Sequence, residues 1–419
     1  MKGRCILQRL DENPSHDEAY DQNFYSCIVL AGSLTLTTSI TQSPTPAIYL
    51  HQKDAIIPFA LHGRHRSTTP THITALSLDQ SPPKEGDHTL RLAAFYATGE
   101  FTIFRIDHST PRRSLRIASY FPGIKTERTS PIREACYHHP LLITLAHSFK
   151  LSLYRITSDT IEHTQTLTSF TSFPPTSMVL TPGLMDYRLI LAYSSPIYPA
   201  HWSVAVTVLT ISGAQSTVSD SSADSVQPCT VSATRTVRCY DIPLGWTDEA
   251  AIRSIREQWG RKVAGVADTQ TDGKWVVLAP IDQPTSPSTM HSSYHARLGT
   301  TSCALQLYRL HIPSMNASSN ATPRMTFVRM LYGHTGPVIA LALADGRCVS
   351  LGADGSLWVW DLEKGWGVEV QATHRSFDPD GSTNSSAVAN GVPLGKVVFD
   401  ERRIVSADIY GIEARRFDI

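Results

Sequence analysis

The stretch from Gly333 to Asp361 constrains the fold more than any other part of the chain, because turn and strand signals alternate along it without a gap. Gly333-His334-Thr335-Gly336-Pro337 is a turn, Val338 to Leu343 an apolar strand, and Asp345-Gly346 a second turn. Arg347 to Leu351 is then a strand, Asp354-Gly355 a turn, and Leu357 to Asp361 a third strand. Short strands joined by tight turns make an antiparallel meander. A sheet this small leaves two faces and two edges to cover, so it needs further copies stacked beside it.

The Gly333-His334 and Trp360-Asp361 pairs resemble the signature of the WD-repeat family, in which repeats of about 40 to 45 residues supply four strands to each blade of a propeller. The resemblance implies a hydrogen-bonded tetrad formed by His334, Ser350, Asp354 and Trp360. Those residue types suit each other when buried. Indole Nε1 only donates, a carboxylate only accepts, and imidazole and hydroxyl do both. Leaving one partner unpaired costs about 1 to 3 kcal/mol. The tetrad is therefore expected to hold a blade together, with His334 a tetrad member and not a catalytic base, and Asp354 a buried acceptor and not a nucleophile.

The same cadence recurs along the chain. Ile73 to Leu78, Leu90 to Ala97, Glu100 to Ile106 and Leu115 to Tyr120 read as one blade, with Arg105-Ile106-Asp107 in the Trp-Asp place. Ile132 to Tyr137, Leu141 to Ala146, Lys150 to Ile156 and Ile161 to Leu167 read as the next. Ser177 to Leu180, Tyr187 to Tyr193, Ser203 to Ile211 and Val231 to Asp241 follow, then Val263 to Ala267, Trp275 to Ala279, Ala304 to Leu310 and Thr326 to Leu331. Near the start, Ser26 to Ala31, Ser33 to Ile40, Ala47 to His51 and Ile56 to Leu61 make a further candidate. At the end, Lys396 to Phe399, Arg403 to Ala407 and Ile412 to Asp418 repeat the pattern, with Ser406 as the strand serine, Phe417-Asp418 for Trp-Asp and Tyr410 where the tetrad Asp would sit.

The fold expected is all-β: a seven-bladed WD-repeat β-propeller filling residues 1–419 as one domain. The signature blade spans about 331–370, and the last blade, about 395–419, lacks an outer strand that residues about 4–10 supply. Closure of that kind leaves no open sheet edge. Long Ser-, Pro- and Asn-rich insertions at 213–227, 281–299 and 373–392 read as loops. Thr247 to Gly260 reads as one short amphipathic helix with Thr247 as N-cap and an apolar stripe of Ile252, Ile255 and Trp259, docked on the propeller rim.

Thirty-seven basic residues balance 37 acidic ones, so bulk charge gives no reason to expect nucleic acid, a membrane surface or an acidic substrate. The seven cysteines are scattered without a Cys-x-x-Cys pair, which fits a reducing compartment and neither a disulfide framework nor a zinc site. With no apolar signal core or 18-residue apolar run, the expected location is cytoplasmic or nuclear. His62-Gly63-Arg64-His65 and His138-His139 lack carboxylate or cysteine at ligand spacing, so no metal is expected. No nucleophile elbow, phosphate-binding loop or dinucleotide fingerprint occurs. The expectation is a non-catalytic protein with no cofactor.

In a blade of this kind the turns before the first strand and between the second and third gather on one rim, where the WD-repeat resemblance implies peptide binding. Arg64, His65 and Arg66 precede one blade and Lys125 and Arg128 the next, so guanidinium and ammonium groups there are the candidate partner-binding residues. They suit proteins or peptides carrying carboxylate or phosphate. The opening Lys2-Gly3-Arg4-Cys5 is also similar to the junction that enters the propeller in fungal-type F-box and WD-repeat proteins, substrate receptors of cullin-RING ubiquitin ligases. The helical F-box itself does not occur in the sequence. That resemblance implies a substrate-recognition propeller; the alternative is a WD-repeat scaffold in a multiprotein complex with no link to ubiquitin, and a propeller enzyme stands a distant third.

Overall fold

The structure, a computed structural model, describes residues 5–10, 25–39, 41–52, 55, 57–63, 69–83, 88–123, 130–157, 160–213, 229–240, 248–281, 303–314, 322–370, 395–408 and 411–417. The described strands form seven four-stranded antiparallel sheets, the blades of a β-propeller. The first strand in sequence, β1 (Cys5–Arg9), belongs in space to the last blade. Blade 1 contains β2 (Tyr25–Ala31), β3 (Leu34–Ser39), β4 (Ala47–His51) and β5 (Phe59–His62). Blade 2 contains β6 (Ile73–Leu78), β7 (Thr89–Tyr96), β8 (Phe101–Asp107) and β9 (Leu115–Tyr120). Blade 3 contains β10 (Ile132–His138), β11 (Leu141–Ala146), β12 (Lys150–Ile156) and β13 (Ile161–Thr168). Blade 4, the longest, contains β14 (Phe173–Pro182), β15 (Tyr187–Ile197), β16 (His201–Ser212) and β17 (Thr230–Arg238). Blade 5 contains β18 (Gly265–Thr271), β19 (Trp275–Ile281), β20 (Leu305–His311) and β21 (Arg324–Leu331). Blade 6 contains β22 (Val338–Ala344), β23 (Arg347–Gly352), β24 (Leu357–Asp361) and β25 (Trp366–Val370). Blade 7 contains β26 (Lys396–Phe399), β27 (Arg403–Asp408), β28 (Gly411–Phe417) and β1.

The first strands of neighbouring blades touch one another all the way round, from β2 through β6, β10, β14, β18 and β22 to β26 and back to β2. That contact defines an inner ring. Second and third strands supply the core between blades. They are buried on both faces, and their sequences accordingly run apolar with little alternation, as in Leu141-Leu142-Ile143-Thr144-Leu145 and Trp275-Val276-Val277-Leu278-Ala279. Each cluster spans two blades: Leu189, Leu191 and Leu209 of blade 4 pack on Ile143, Leu145 and Leu153 of blade 3. In blades 1 to 6 the first strand carries a bulge near its start, such as between Val338 and Ala340, and between Ile73 and Ala75. The bulge gives these six blades the same internal landmark.

Closure is non-covalent. β1 pairs antiparallel with β28, from Cys5 opposite Phe417 to Arg9 opposite Glu413. Across the seam from blade 7 to blade 1, the buried Arg403 side chain donates to the carbonyls of Gly32, Ser33 and Leu34 and is held by Asp400 at 2.7 Å. The turn it grips is tight, with Gly32 at φ +57°. Comparable acidic clamps join other blades at the same end: Asp79 accepts from the His139 backbone at 2.9 Å, and Asp272 from the Gly346 backbone at 2.9 Å.

Several elements depart from the sequence reading, among them β14, which begins at Phe173 and not Ser177, and β15, which runs on to Ile197 and not Tyr193. β5 begins at Phe59, not Ile56, because Pro58 has no N–H for the ladder. β18 runs Gly265–Thr271, later than the Val263 to Ala267 expected, and stops where Asp272 Oδ1 accepts from the backbone of Lys274 and Trp275. The helix α1 (Glu249–Gly260) is capped by Asp248, whose side chain accepts from the Ala251 N–H at 2.7 Å, whereas Thr247 lies outside the described residues. The insertions at 213–227, 281–299 and 373–392 also lie almost wholly outside them.

Deleting residues 1–12 should lower the melting temperature by about 10 °C or more, because an outer strand is lost and the edge of β28 is left open. A melt unchanged by the deletion contradicts the seam.

Candidate interaction surface

The most polar part of the interior is in blade 6. Trp360 Nε1 donates to Ser350 Oγ at 2.9 Å, and Ser350 Oγ lies 2.6 Å from His334 Nε2. His334 Nδ1 lies 3.1 Å from Ser356 Oγ, and the Ser356 backbone N–H donates to Asp354 Oδ1 at 2.9 Å. The end groups fix the proton order. Indole can only donate and carboxylate can only accept, so Ser350 passes its proton to Nε2, Nδ1–H donates to Ser356, and the Ser356 hydroxyl donates to Asp354. Imidazole must then be neutral, and burial does hold His334 down at about 4, against the raising effect of Asp354. Burial pushes the Asp354 carboxyl up, but hydrogen bonds from Ser356 and the charge interaction with His334 leave it below the usual range.

The four residues singled out in the sequence thus lie together, with one correction. Asp354 is half-buried and reaches His334 through Ser356, a residue that the sequence reading missed. Its signal was the hydroxyl directly after Asp354-Gly355. Gly352 makes room for the chain, since a Cβ there would stand 2.5 Å from Asp354 Oδ1 and 2.6 Å from Ser356 Oγ.

Ladder register finds the same two positions in other blades. Ser350 and Trp360 correspond to Thr37 and His51 in blade 1, Thr144 and Tyr154 in blade 3, and Ser406 and Arg415 in blade 7. In each, a hydroxyl still meets a donor. His51 Nε2 lies 2.9 Å from Thr37 Oγ1, the Tyr154 phenol engages Thr144, and the Arg415 guanidinium donates to Ser406 Oγ at 3.2 Å while paired with Glu413 at 2.7 Å. Where the hydroxyl is replaced by Ala94 or Ala192, the partner is apolar, Phe104 or Val208. Arg415, not Phe417, therefore stands in the Trp place of blade 7, because its second hairpin is one residue shorter between the two positions. Phe104-Arg105 likewise replaces the Arg105-Ile106-Asp107 alignment in blade 2. Tyr410 lies outside the described residues.

At the centre of the ring, ladder register marks one equivalent position on each first strand, the one that follows the bulge in blades 1 to 6, and charged groups occupy three of them: Glu134, Asp268 and Lys396. They belong to blades 3, 5 and 7, which do not adjoin, so their fields meet across the middle of the ring. Glu134 Oε1 accepts from Thr176 Oγ1 of blade 4 at 2.8 Å, and Asp268 Oδ2 from the Leu341 N–H of blade 6 at 2.7 Å. Burial pushes Glu134 up to about 7; the Thr176 hydrogen bond and the Lys396 and Arg133 charges oppose that, and Asp268 adds to it. Asp268 is raised as well, by burial first.

His138 is buried with Nδ1 3.2 Å from the Tyr187 hydroxyl, and His139 is held by its backbone to Asp79, so that pair serves packing between blades. Among the described residues no group of three or more His, Cys, Asp or Glu could hold a metal ion, and no helix is long and apolar enough to cross a membrane. The rim candidates Arg64, His65, Arg66, Lys125 and Arg128 all lie outside the described residues. The described part of the rim presents two large aromatic groups: Phe170 and Tyr198, at the entry to blade 4 and in its β15–β16 turn, are 90% and 89% exposed.

Comparison with known proteins matches residues 47–390 to the family described as the F-box protein pof12 beta-propeller. No curated protein matches the sequence. Among solved structures, the chain is similar to the Cps50 (Swd1) beta-propeller domain of Myceliophteria thermophila, with 10% identity over 98% of this chain and 99% of that one and a TM-score of 0.45. It is also similar to the computationally designed Ika8 protein, with 11% identity over 95% of this chain and 97% of that one and a TM-score of 0.41.

Glu134 supplies a pH prediction. Its folded value lies above the unfolded value near 4.5, so between about 4.5 and 7 the folded chain keeps a proton that the unfolded chain has lost. Stability contributed by this group therefore falls as pH rises through that window. Glu134→Gln should flatten that part of the stability curve, read by urea melts from pH 4.5 to 8; an unchanged slope contradicts the assignment.

Proposed function

The chain belongs to the family of the F-box protein pof12 beta-propeller, and on that premise we propose that it is the substrate-recognition propeller of an F-box-type cullin-RING ubiquitin ligase. The match over residues 47–390 carries this reading. A propeller of such a protein is an interaction module, and the interior of this one is consistent with that role. His334, Ser350, Ser356, Asp354 and Trp360 satisfy one another, and Glu134 and Asp268 are engaged by neighbouring blades. Groups that in another fold would suggest acid–base chemistry are here tied into the frame. Recognition is left to the rim, where loops are set on a rigid scaffold.

In this role the ring holds a substrate protein while the ligase transfers ubiquitin to it. The partner is a protein or peptide, with acidic or phosphorylated segments as the expected class at the cationic turns carrying Arg64, Arg66 and Arg128.

Affinity purification of the full gene product from its native cells, followed by mass spectrometry, tests the reading. Expected are a cullin subunit, its F-box adaptor, and a co-purifying protein whose lifetime lengthens when the gene is removed. A stable complex devoid of cullin and adaptor would make the chain a scaffold outside ubiquitin transfer.

A further inference from the structure

One corner of the ring gathers aromatic side chains and leaves them open to water. β14 starts there, β15 turns into β16 there, and β17 leads from there toward α1, so four segments of blade 4 and its insertion share one end. Phe173 sets its ring against Trp202 at 5.5 Å between centroids. The Trp202 and Val263 backbones exchange hydrogen bonds of 2.8 and 3.0 Å, which brings the chain just past α1 onto the start of β16. Trp259, in the last turn of α1, meets the rings of His201 at 6.2 Å and Tyr240 at 5.5 Å, and Lys262 Nζ sits 3.7 Å over its face.

The corner is held in place and yet uncovered among the described residues. Phe170 and Tyr198 stand out beside Phe173, and α1 buries none of its residues. Its apolar stripe is only partly covered: Ile252 is 37% exposed, and Ile255 and Trp259 are half-buried. Large aromatic groups on a rigid frame are the kind of anchor that dominates protein recognition, and a contiguous apolar patch of this sort marks an interaction site.

Charge narrows the occupant. The chain as a whole is balanced, but here Arg238, Arg253, Arg256, Arg261 and Lys262 outnumber Asp248, Glu249 and Glu257. Arg253 and Arg256 are exposed on α1. A second copy of the chain would set this cationic patch against itself across a two-fold axis, which like charge disfavours. An acidic partner gains where a copy would lose.

Resting on the reading of the chain as a recognition propeller, we propose that the blade 4 corner, formed by Phe170, Phe173, Tyr198 and α1, docks a partner segment carrying large apolar side chains flanked by aspartate or glutamate. Anchoring comes from the aromatic surface. Arg253 and Arg256 select the acidic flank and speed encounter, so binding weakens as salt is added.

The test uses the purified chain, the variants F170A/Y198A and R253E/R256E, and a random peptide library displayed on phage. Both variants change exposed side chains and should melt with the wild type. The wild type should enrich peptides with Trp, Phe or Leu next to Asp or Glu, and a labelled synthetic peptide of that consensus should bind F170A/Y198A about tenfold or more weakly. R253E/R256E should bind it more weakly and lose most of the salt dependence. A consensus peptide bound equally by all three proteins removes the corner and leaves the recognition reading standing, as does a basic consensus. If neither the library nor the same library phosphorylated by kinases yields any binder, the recognition reading falls together with the corner. A wild-type dimer by light scattering that F170A/Y198A abolishes makes a second copy the occupant and overturns the proposal.

Discussion

Everything in this molecule depends on a seam that no covalent bond closes. Twenty-seven strands in sequence order leave the seventh sheet one strand short, and β1 fills the place by pairing with β28. Without it the outer edge of blade 7 would be open, and blade 7 in turn covers one face of blade 1 through Ile28, Val405 and Ala414. Arg403 adds directional grip by donating to successive carbonyls of the Gly32 turn. A ring has no free end at which to fray, so strain or loss at the seam is felt by all blades through the chain of contacts between first strands. Rigidity of the rim, and with it any recognition by the rim, follows from closure.

The polar interior shows how a repeat can lose its signature and keep its geometry. In blade 6 a directed run of hydrogen bonds ends in a donor-only indole and an acceptor-only carboxylate, with neutral His334 between them. Blades 1, 3 and 7 keep only the hydroxyl and its donor, and the donor is imidazole, phenol or guanidinium as the blade requires. Hydroxyl and donor disappear together in blades 2 and 4. Blade 5 keeps a donor without the hydroxyl, Tyr308 with Leu278 in the hydroxyl's place, and the phenol donates to Gln306 at 2.6 Å, so the buried polar atom is satisfied in each case.

Strand positions were legible because alternation and turn residues report backbone geometry directly. Val338 to Leu343 and Lys150 to Ile156 could be placed to within a residue. Register was harder. Phe417 was aligned with Trp360 on the appearance of Phe-Asp, but pairing of Ile404 with Arg415 puts the guanidinium there. Phe417 and Arg415 are two residues apart and share a face of β28, so alternation does not tell them apart, and sequence similarity between Trp-Asp and Phe-Asp carries no information about hairpin length. Ser356 escaped notice for a related reason: a serine after Asp-Gly reads as a turn residue until the fold brings it to His334. The aromatic corner was invisible in the sequence, since Phe170, Tyr198 and Trp259 come from three separate connections that only the ring brings to one end. The amphipathic stripe of α1 was legible, and what it leaves uncovered was not.

Native-state hydrogen exchange gives the most direct test of the closed ring. The backbone amides of Ile6, Gln8 and Leu10, and of Ala414 and Arg416 opposite, should exchange only by global unfolding, with the same free energy as amides of the inner strands β10 and β22. Early exchange of β1 and β28 at low denaturant, with the other six blades still protected, would mean that the seam is a dispensable fringe and not the closure on which the ring depends.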